Sequence, residues 1–490
     1  MTLDRRTLVK SAAALSAAGP FAGLVAPGAA HARPTAASLV PIKDKRDGVV
    51  RLHLPRGFSY RSFHDTEAPV VLTDGTRLPG RHDGMGAFRG PDDTVLLVRN
   101  HEVNNPRPAF GPTGANVPAP YDPMAGGGTT TIQVTRHGEE VRSFTSLNGT
   151  MMNCSGGQMP WGAWVTCEET VNGPDVAPDF TGASNVPLTK PHGYVFEVPA
   201  SHQPGAGQST REPIRNAGRF AHEAVSFDPE DGFLYLTEDN FAFASGFYRY
   251  CPPSHPMEVG RLEDGGTLQM LKVAGADNAH LEAAQVAGTT YDVEWVDITE
   301  PDVLYDYTPG QTAPTPNDTA LTHVSSQGWV QGAAYFSRLE GQVYDDGVVY
   351  FTSTQGGGAA EAGTHNPAGF GRGSGQVWAY DTRAQTLRVV FQSSGPLQLD
   401  LPDNITTSPR GTLVVCEDNV NDNYLRGLSP SGSLWDIALN RLRSAAGTDR
   451  SNDEFAGSTF SPDGHTLFVN IQASAGMSFA IWGPWRKIGV

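Results

Sequence analysis

The sequence predicts an all-β fold, and within that class a six-bladed β-propeller with rim insertions and a short helical excursion. Only 18% of the 490 residues are charged, while 56 are Gly and 37 are Pro, a balance that favours many short strands joined by turns. Six stretches share one design, and their spacing is uneven, which suits blades with rim insertions better than a solenoid. A β-sandwich with a second domain is the alternative, and six similar units make it less favourable.

Each of the six stretches begins with a turn or a short Gly-, Pro- or Asp-containing segment, continues with apolar residues that favour strands, and ends in acids or amides. The last apolar residues of the six runs are Val98, Val165, Leu236, Phe351, Val415 and Val469. In a propeller the innermost strands of all blades converge on one axis. We therefore expect these six residues in inner strands, with the polar strand ends meeting in a central channel.

The first 32 residues have the order of an export signal. Arg5 and Arg6 precede an Ala- and Leu-rich stretch, and Ala30-His31-Ala32 resembles a cleavage site. We predict a twin-arginine signal peptide over 1–32 and a single propeller domain over 33–490. No other apolar stretch approaches the ~18 residues that cross a bilayer. The predicted location is therefore periplasmic or extracellular, with the twin-arginine export machinery as a partner and no stable membrane anchor.

The charge of the chain restricts its partners. The formal net charge is −17 at pH 7, and it becomes more negative once the basic signal peptide is removed. Such a surface argues against nucleic-acid binding and is compatible with holding several cations.

Two segments outside the six stretches carry structural expectations. Residues 33 to about 47 are rich in Pro and Ala and mixed in charge, which is typical of a linker or an arm laid over the body. The longest gap between stretches contains a helix-compatible segment near 277–287, where we expect the helical excursion.

The strongest chemical signal is Cys167-Glu168-Glu169, directly after an apolar run. Buried carboxylates and a thiolate are costly without a partner, so this stretch indicates a metal site. The alternative is a disulfide between Cys154 and Cys167, because the chain has four cysteines and is expected in an oxidising compartment. Further acids that begin or end apolar runs, and that we take as candidate metal ligands, are Glu102, Glu223, Glu340 and Glu417.

The types of ligand indicate which cations would bind. Oxygen-rich sites suit calcium, magnesium or manganese, whereas one thiolate among carboxylates points to a transition metal such as iron or zinc. A lone cysteine ligand excludes a four-cysteine iron–sulfur cluster.

Several stretches resemble the PhoX family of secreted alkaline phosphatases. The most specific is Pro-Trp-Gly-x-Trp-x-Thr-Cys-Glu-Glu at 160–169, and the others lie at 153–157, 218–224, 338–340 and 460–472. The resemblance implies a six-bladed propeller that holds ferric iron and calcium and hydrolyses phosphate esters. It implies Cys167 as the iron ligand, Glu223 and Glu340 as metal ligands or bridges, and Glu168 or Glu169 at calcium. Arg338 would contact the phosphate of a small-molecule phosphate ester, which its planar donors suit.

Leu339 departs from the family pattern, in which the phosphatases have Pro between the Arg and the Glu. Two other classes of function therefore stay open. One is a calcium-stabilised propeller that acts as a binding protein without phosphatase activity, and the other is a redox or lactonase-like metalloenzyme on the same scaffold.

Overall fold

The computed structural model describes residues 38–114 and 118–490, and in these residues the chain is almost entirely β. The predicted signal peptide, 1–32, lies outside the described residues. The strands of the N-terminal segment and of the first two groups are β1 (Leu39–Lys43), β2 (Val50–Pro55), β3 (Ser59–Phe63), β4 (His82–Arg89), β5 (Val95–His101), β6 (Gly127–Val134), β7 (Glu140–Thr150), β8 (Asn153–Met159), β9 (Ala163–Glu168) and β10 (Val195–Pro199).

The remaining strands form four further groups. The third group contains β11 (His222–Phe227), β12 (Leu234–Glu238), β13 (Phe247–Cys251), β14 (Thr267–Val273) and β15 (Thr290–Ile298). The fourth contains β16 (Leu339–Asp345), β17 (Val348–Ser353), β18 (Gln376–Asp381) and β19 (Thr386–Gln392). The fifth contains β20 (Pro402–Thr407), β21 (Leu413–Glu417), β22 (Tyr424–Leu428) and β23 (Leu434–Asn440), and the sixth contains β24 (Glu454–Phe460), β25 (Thr466–Gln472) and β26 (Met477–Trp482).

The first strands of the six groups form a closed ring. β4, β8, β11, β16, β20 and β24 each contact the next, and β24 contacts β4 again. Within each group the strands pair antiparallel in sequence order, while β15 and β19 join the third and fourth groups into one nine-stranded sheet. This arrangement confirms the predicted all-β propeller.

N-terminal strands close the ring against the C-terminal part of the chain. β3 pairs with β26 and completes the sixth group, and β2 pairs with β23 at the outer edge of the fifth. β1 pairs with β2, so part of the segment expected to be a linker or an arm laid over the body is an edge strand. Residues distant in sequence therefore hold the two ends of the described chain together.

The six apolar residues expected in inner strands lie one strand further out. Val98, for example, is in β5 and Val165 is in β9, the second strands of their groups. A second strand is buried on both faces and reads as a continuous apolar run. The first strand is different, since β8 has the sequence NCSGGQM. The prediction that placed the six residues in inner strands was therefore wrong. The first strands were overlooked because their small and polar residues do not form an apolar run.

The helical excursion also lies elsewhere. The described residues contain α1 (Asn317–Leu321) and α2 (His323–Trp329), with short 3-10 helices at Arg215–Ala217 and Trp485–Ile488. In the segment 277–287, His280 and Ala283 form isolated bridges to Tyr335 and Gly358 instead, so tertiary pairing replaces the expected helix. Among the described residues, none of the helices has the length and apolar character needed to cross a bilayer.

Apolar side chains fill the spaces between neighbouring groups. Val98 of β5 packs in one cluster with Trp164 of β9, and Val415 of β21 packs in one cluster with Val377 of β18. Because the apolar core lies between the blades, the centre of the ring is left to polar residues.

Candidate metal centre

Each first strand carries a β-bulge, at which one extra residue is inserted opposite the second strand. The pairing of β8 with β9, for example, shifts between Asn153 and Gly156. The first residues of the six bulges are Asp83, Cys154, Glu223, Glu340, Asp403 and Gly457. A bulge breaks the pairing and re-aims a side chain. Five of the six groups therefore place a carboxylate or a thiol at the same point of the ring.

A second set of acids comes from the ends of the second strands. Glu102, Glu169, Asp239 and Asp418 are each the residue directly after β5, β9, β12 and β21. Since neighbouring strands run antiparallel, the end of a second strand lies beside the start of the first strand. Both sets of acids therefore reach the same end of the channel.

The two sets meet in three groups, together with Glu454 at the start of β24. In each group the ligand atoms lie within 4.8 Å of one another, and all the residues are buried. The three groups are Cys154, Glu169 and Glu223; Glu223, Glu340 and Asp403; and Asp403, Asp418 and Glu454. Because Glu223 and Asp403 each belong to two groups, the three form one continuous row of donors.

Electrostatic repulsion within this row is strong. Burial, followed by the neighbouring carboxylate of Glu340, raises the pKa of Glu223 well above that of an ordinary glutamate. Burial and Asp239 do the same for the pKa of Glu340. Burial and Glu223 also raise the pKa of the Cys154 thiol. Carboxylates this close stay ionised only beside positive charge, so this donor set fits cations.

Arg338 supplies one fixed positive charge at the row. Its Nε and Nη2 donate to Asp239 at 3.0 and 2.8 Å, and Nη2 lies 2.7 Å from Glu340 Oε1. Its buried Nη1 has no hydrogen-bond partner among the described residues. The backbone of Arg338 is left-handed, with φ 44°, and Leu339 packs in the apolar core behind it. A left-handed arginine costs energy, so the surrounding contacts hold this side chain in place.

Two candidate ligands, Glu168 and Glu417, lie in hydrogen-bond networks outside the row of donors. Glu168 accepts hydrogen bonds from the backbone amides of Met151, Gly193 and Tyr194 and contacts His192. Glu417 contacts Arg426 at 2.9 Å. Residues in a strand alternate between its two sides, so Glu168 and Glu417 point into the blade, whereas the next residues, Glu169 and Asp418, join the row of donors.

Glu102 occupies the position equivalent to Glu169 in the first group. Its carboxylate accepts hydrogen bonds from Arg81 and Gln472 at 2.5 and 2.6 Å. Among the described residues, Glu102 belongs to none of the three sets of ligand side chains that form the row of donors.

The thiol in the row is Cys154, in the bulge of β8. Cys167 lies opposite that bulge in β9 and is fully buried in an apolar cluster with Val195 and Phe220. Both cysteines are free thiols, so the alternative disulfide is not formed. The sequence predicts the thiolate at Cys167 because that residue precedes two acids, whereas the group of donors that contains Glu169 and Glu223 includes the Sγ of Cys154.

Several donors in the row were not among the predicted ligands. They are Cys154, Asp403, Asp418 and Glu454. The signal that could have found them is the recurrence of a polar residue at a similar interval before each second-strand end, as for Cys154 before Glu169 and Asp403 before Asp418.

The ring and its row of donors define a β-propeller whose channel carries groups of side chains that could hold metal ions. The family model described as alkaline phosphatase PhoX matches residues 38–475. The chain therefore belongs to the PhoX alkaline phosphatase family, a family of phosphoric ester hydrolases.

Solved structures resemble the chain in fold. PhoX from Pseudomonas fluorescens, in complex with vanadate as a transition state analogue, is 17% identical, with 92% of this chain and 98% of that chain covered and a TM-score of 0.64. A gluconolactonase from Xanthomonas campestris is 12% identical over 91% of this chain and 98% of that chain, with a TM-score of 0.38. Virginiamycin B lyase from Staphylococcus aureus is 11% identical over 87% and 99%, with a TM-score of 0.38. Curated proteins gave no match to the chain.

Proposed function

We propose that this protein is an exported, metal-dependent phosphatase that hydrolyses small phosphate esters at the row of donors in its channel. The observation that carries the proposal is Arg338, whose Nη1 lacks a hydrogen-bond partner while Nε and Nη2 are fixed by Asp239. A buried, fixed guanidinium with a free donor suits a phosphoryl oxygen.

The donor set supports a division between two kinds of cation. Cys154, Glu169 and Glu223 combine one sulfur with two carboxylates, which suits iron. The two all-carboxylate groups suit calcium. Iron on Cys154, rather than on Cys167, is therefore our proposal. Cations held in the row supply Lewis-acid polarisation of a phosphoryl group.

The residues of the chain have separate tasks in this scheme. Asp239 orients Arg338 by two hydrogen bonds, and Arg338 donates to an oxygen of the phosphoryl group. Glu340 binds Arg338 and belongs to the row of donors, so it links the position of the arginine to that of the cations. The charge that develops on the phosphoryl oxygens then meets a donor that needs no reorganisation.

We further propose that residues 1–32 direct export through the twin-arginine machinery to the periplasm or the cell exterior. The family assignment and the order of sequence features in this segment support the proposal. Fractionation of cells that express the full chain, compared with a variant in which Arg5 and Arg6 are both Lys, tests it. Full export of the double variant would contradict it.

Phosphoester turnover and metal content, measured on the same samples, test the central proposal. Metal-loaded protein should hydrolyse a chromogenic phosphomonoester and lose this activity on chelation. Arg338→Ala should keep its metals and lose about 10²–10³-fold in kcat, by analogy with removal of one oxyanion-hole donor. Glu340→Gln should lose metal and activity together, because a neutral amide is a weaker ligand.

Arg426→Ala is the matched control, since Arg426 is also a buried arginine bound to a carboxylate but lies in a blade. It should retain metals and turnover per folded molecule. Full activity of Arg338→Ala with full metal content would refute the substrate-binding role. Absence of turnover in the metal-loaded protein would refute the phosphatase and favour a binding propeller.

A further inference from the structure

A cavity opens beside the row of donors. It has a volume of about 250 Å³ and shares Glu169 with the group of Cys154 and Glu223. Asn240, also in its lining, directly follows Asp239, which holds Arg338. The cavity therefore lies next to both the candidate cation site and the candidate phosphate donor.

Apolar and aromatic side chains form about half of the lining of this cavity, beside polar residues such as Asp179, Asn317 and Asp318. Phe180, Phe241 and Phe243 line it together with Val171 and Leu321. The ring of Phe243 stacks on His365, with centroids 4.4 Å apart and an interplanar angle of 21°, so one wall is a rigid flat surface. Phe180 is 48% exposed, which leaves it free to cover a ligand. Flat aromatic walls stabilise a planar ring by stacking and by burying its surface.

One polar side chain in the lining is left without a partner. Asn240 is 1% exposed, and neither its Oδ1 nor its Nδ2 has a hydrogen-bond partner among the described residues. A buried amide that lacks both bonds costs stability, which a ligand that offers a donor or an acceptor would recover. The cavity thus combines aromatic walls with one buried amide.

We propose that this cavity binds the leaving group of the phosphate ester and selects single-ring aromatic alcohols, with Phe243 as the stacking surface and Asn240 as the partner of a polar ring substituent. The proposal rests on the proposed phosphatase function. The volume lies slightly below the roughly 300–1,000 Å³ of sites for drug-sized ligands, and an apolar cavity of about 150 Å³ suffices for benzene. One substituted ring therefore fits, and a second ring would have to lie outside.

The test compares phenyl phosphate with glycerol 3-phosphate on metal-loaded protein. Phe243→Ala should lower kcat/KM for phenyl phosphate by about tenfold and change that for glycerol 3-phosphate less than twofold, because only the aryl group uses the stacking surface. Taking the ratio of the two substrates in each variant cancels their different intrinsic reactivities. Leu397→Ala, at a fully exposed residue outside the cavity lining, is the control and should leave the ratio unchanged.

The role of Asn240 is tested with a third substrate, 4-carbamoylphenyl phosphate. Asn240→Leu should lower kcat/KM for this ester severalfold more than for phenyl phosphate, because only the carbamoyl group uses the amide. Equal losses for both aryl esters would refute this role.

The two levels of the proposal fail separately. If the wild-type protein hydrolyses both phosphate esters but Phe243→Ala leaves their ratio unchanged, the leaving-group site is refuted and the phosphatase stands. If the metal-loaded wild-type protein hydrolyses neither ester, the phosphatase itself is refuted, and this site with it.

Discussion

Two neighbouring carboxylates, Glu168 and Glu169, have opposite environments. Glu168 accepts three backbone hydrogen bonds and contacts His192, so its charge is compensated inside the blade. Glu169 lies in the row of donors, where its carboxylate, the thiol of Cys154 and the carboxylate of Glu223 are close enough together that they could hold one cation. Both are buried, at 0% and 6% exposure. Burial alone therefore does not distinguish a candidate metal ligand, whereas the presence of further donor atoms within 4.8 Å does.

The same contrast recurs around the ring. Glu238 accepts hydrogen bonds from the amide of Gly246 and the hydroxyl of Tyr248, and Glu417 contacts Arg426, each within its own blade. These acids end their second strands as Glu168 does. In these three groups of strands the last residue of the second strand thus anchors the next strand of its blade, and the residue after it, Glu169, Asp239 or Asp418, lies at the row of donors.

Neutralising Glu168 and Glu169 one at a time should give the largest difference between the two residues. Glu168→Gln should destabilise the fold by about 3–5 kcal/mol, because the buried charge of His192 loses a partner, and should leave the metal content per folded molecule unchanged. Glu169→Gln should lower metal content and turnover without destabilising the metal-free protein, since it removes repulsion from the row. Denaturant unfolding and elemental analysis of both variants measure these effects. Equal metal loss in the two variants would contradict the comparison.

Removal of the cations should have the next largest effect. Chelation should lower the stability of the wild-type protein by about 3–4 kcal/mol for one bound cation whose free concentration is several hundred times its Kd. The reason is that the cation binds only the folded protein. Thermal unfolding before and after chelation measures the loss. Glu223→Gln is the informative variant, since Glu223 belongs to two of the three groups. Its melting temperature should depend less on chelation than that of the wild-type protein, and an undiminished dependence would count against Glu223 as a ligand.

Cys154 and Cys167 differ in the same way as Glu169 and Glu168, since only Cys154 belongs to the row of donors. Cys154→Ser should lower bound iron, because a hydroxyl replaces the only thiol in the row. Cys167→Ser should keep bound iron and cost about 1–3 kcal/mol of stability, since its hydroxyl would be buried among apolar residues. Elemental analysis and denaturant unfolding separate the two results. Loss of iron only in Cys167→Ser would instead support Cys167 as the iron ligand, which the family resemblance implies.

The smallest effect should be the pH dependence of the stability that His192 contributes beside Glu168 and Asp122. Burial lowers the pKa of His192, but Glu168 and Asp122 together raise it from 6.5 to about 9. Because the folded pKa is the higher one, this contribution to stability is complete below about pH 6.5 and is lost as the pH rises through about 9. The stability difference between the wild-type protein and His192→Gln should therefore shrink over this range. A constant difference would show that His192 is neutral in the folded protein.

Much of the fold could be predicted because its signals are local. Buried second strands such as Val95–His101 read as apolar runs with polar ends, and turn residues separate them, so the class and the repetition of the units were readable. The motif at 160–169 carried the family, and three of the acids predicted from the sequence as metal ligands, Glu169, Glu223 and Glu340, lie in the row of donors.

The tertiary structure alone decided which strands face the channel and which side chains point into it. First strands such as β8 carry small and polar residues without an apolar pattern, and the bulge that aims Cys154 at the acids depends on pairing with β9. The choice between Glu168 and Glu169, or between Glu417 and Asp418, depends on strand alternation, and a one-residue shift in register reverses it. The class of fold, the family and the types of donor side chain could all be inferred from the sequence. Strand register determined which donors meet, because ligands that are distant in the chain become neighbours only when the ring closes.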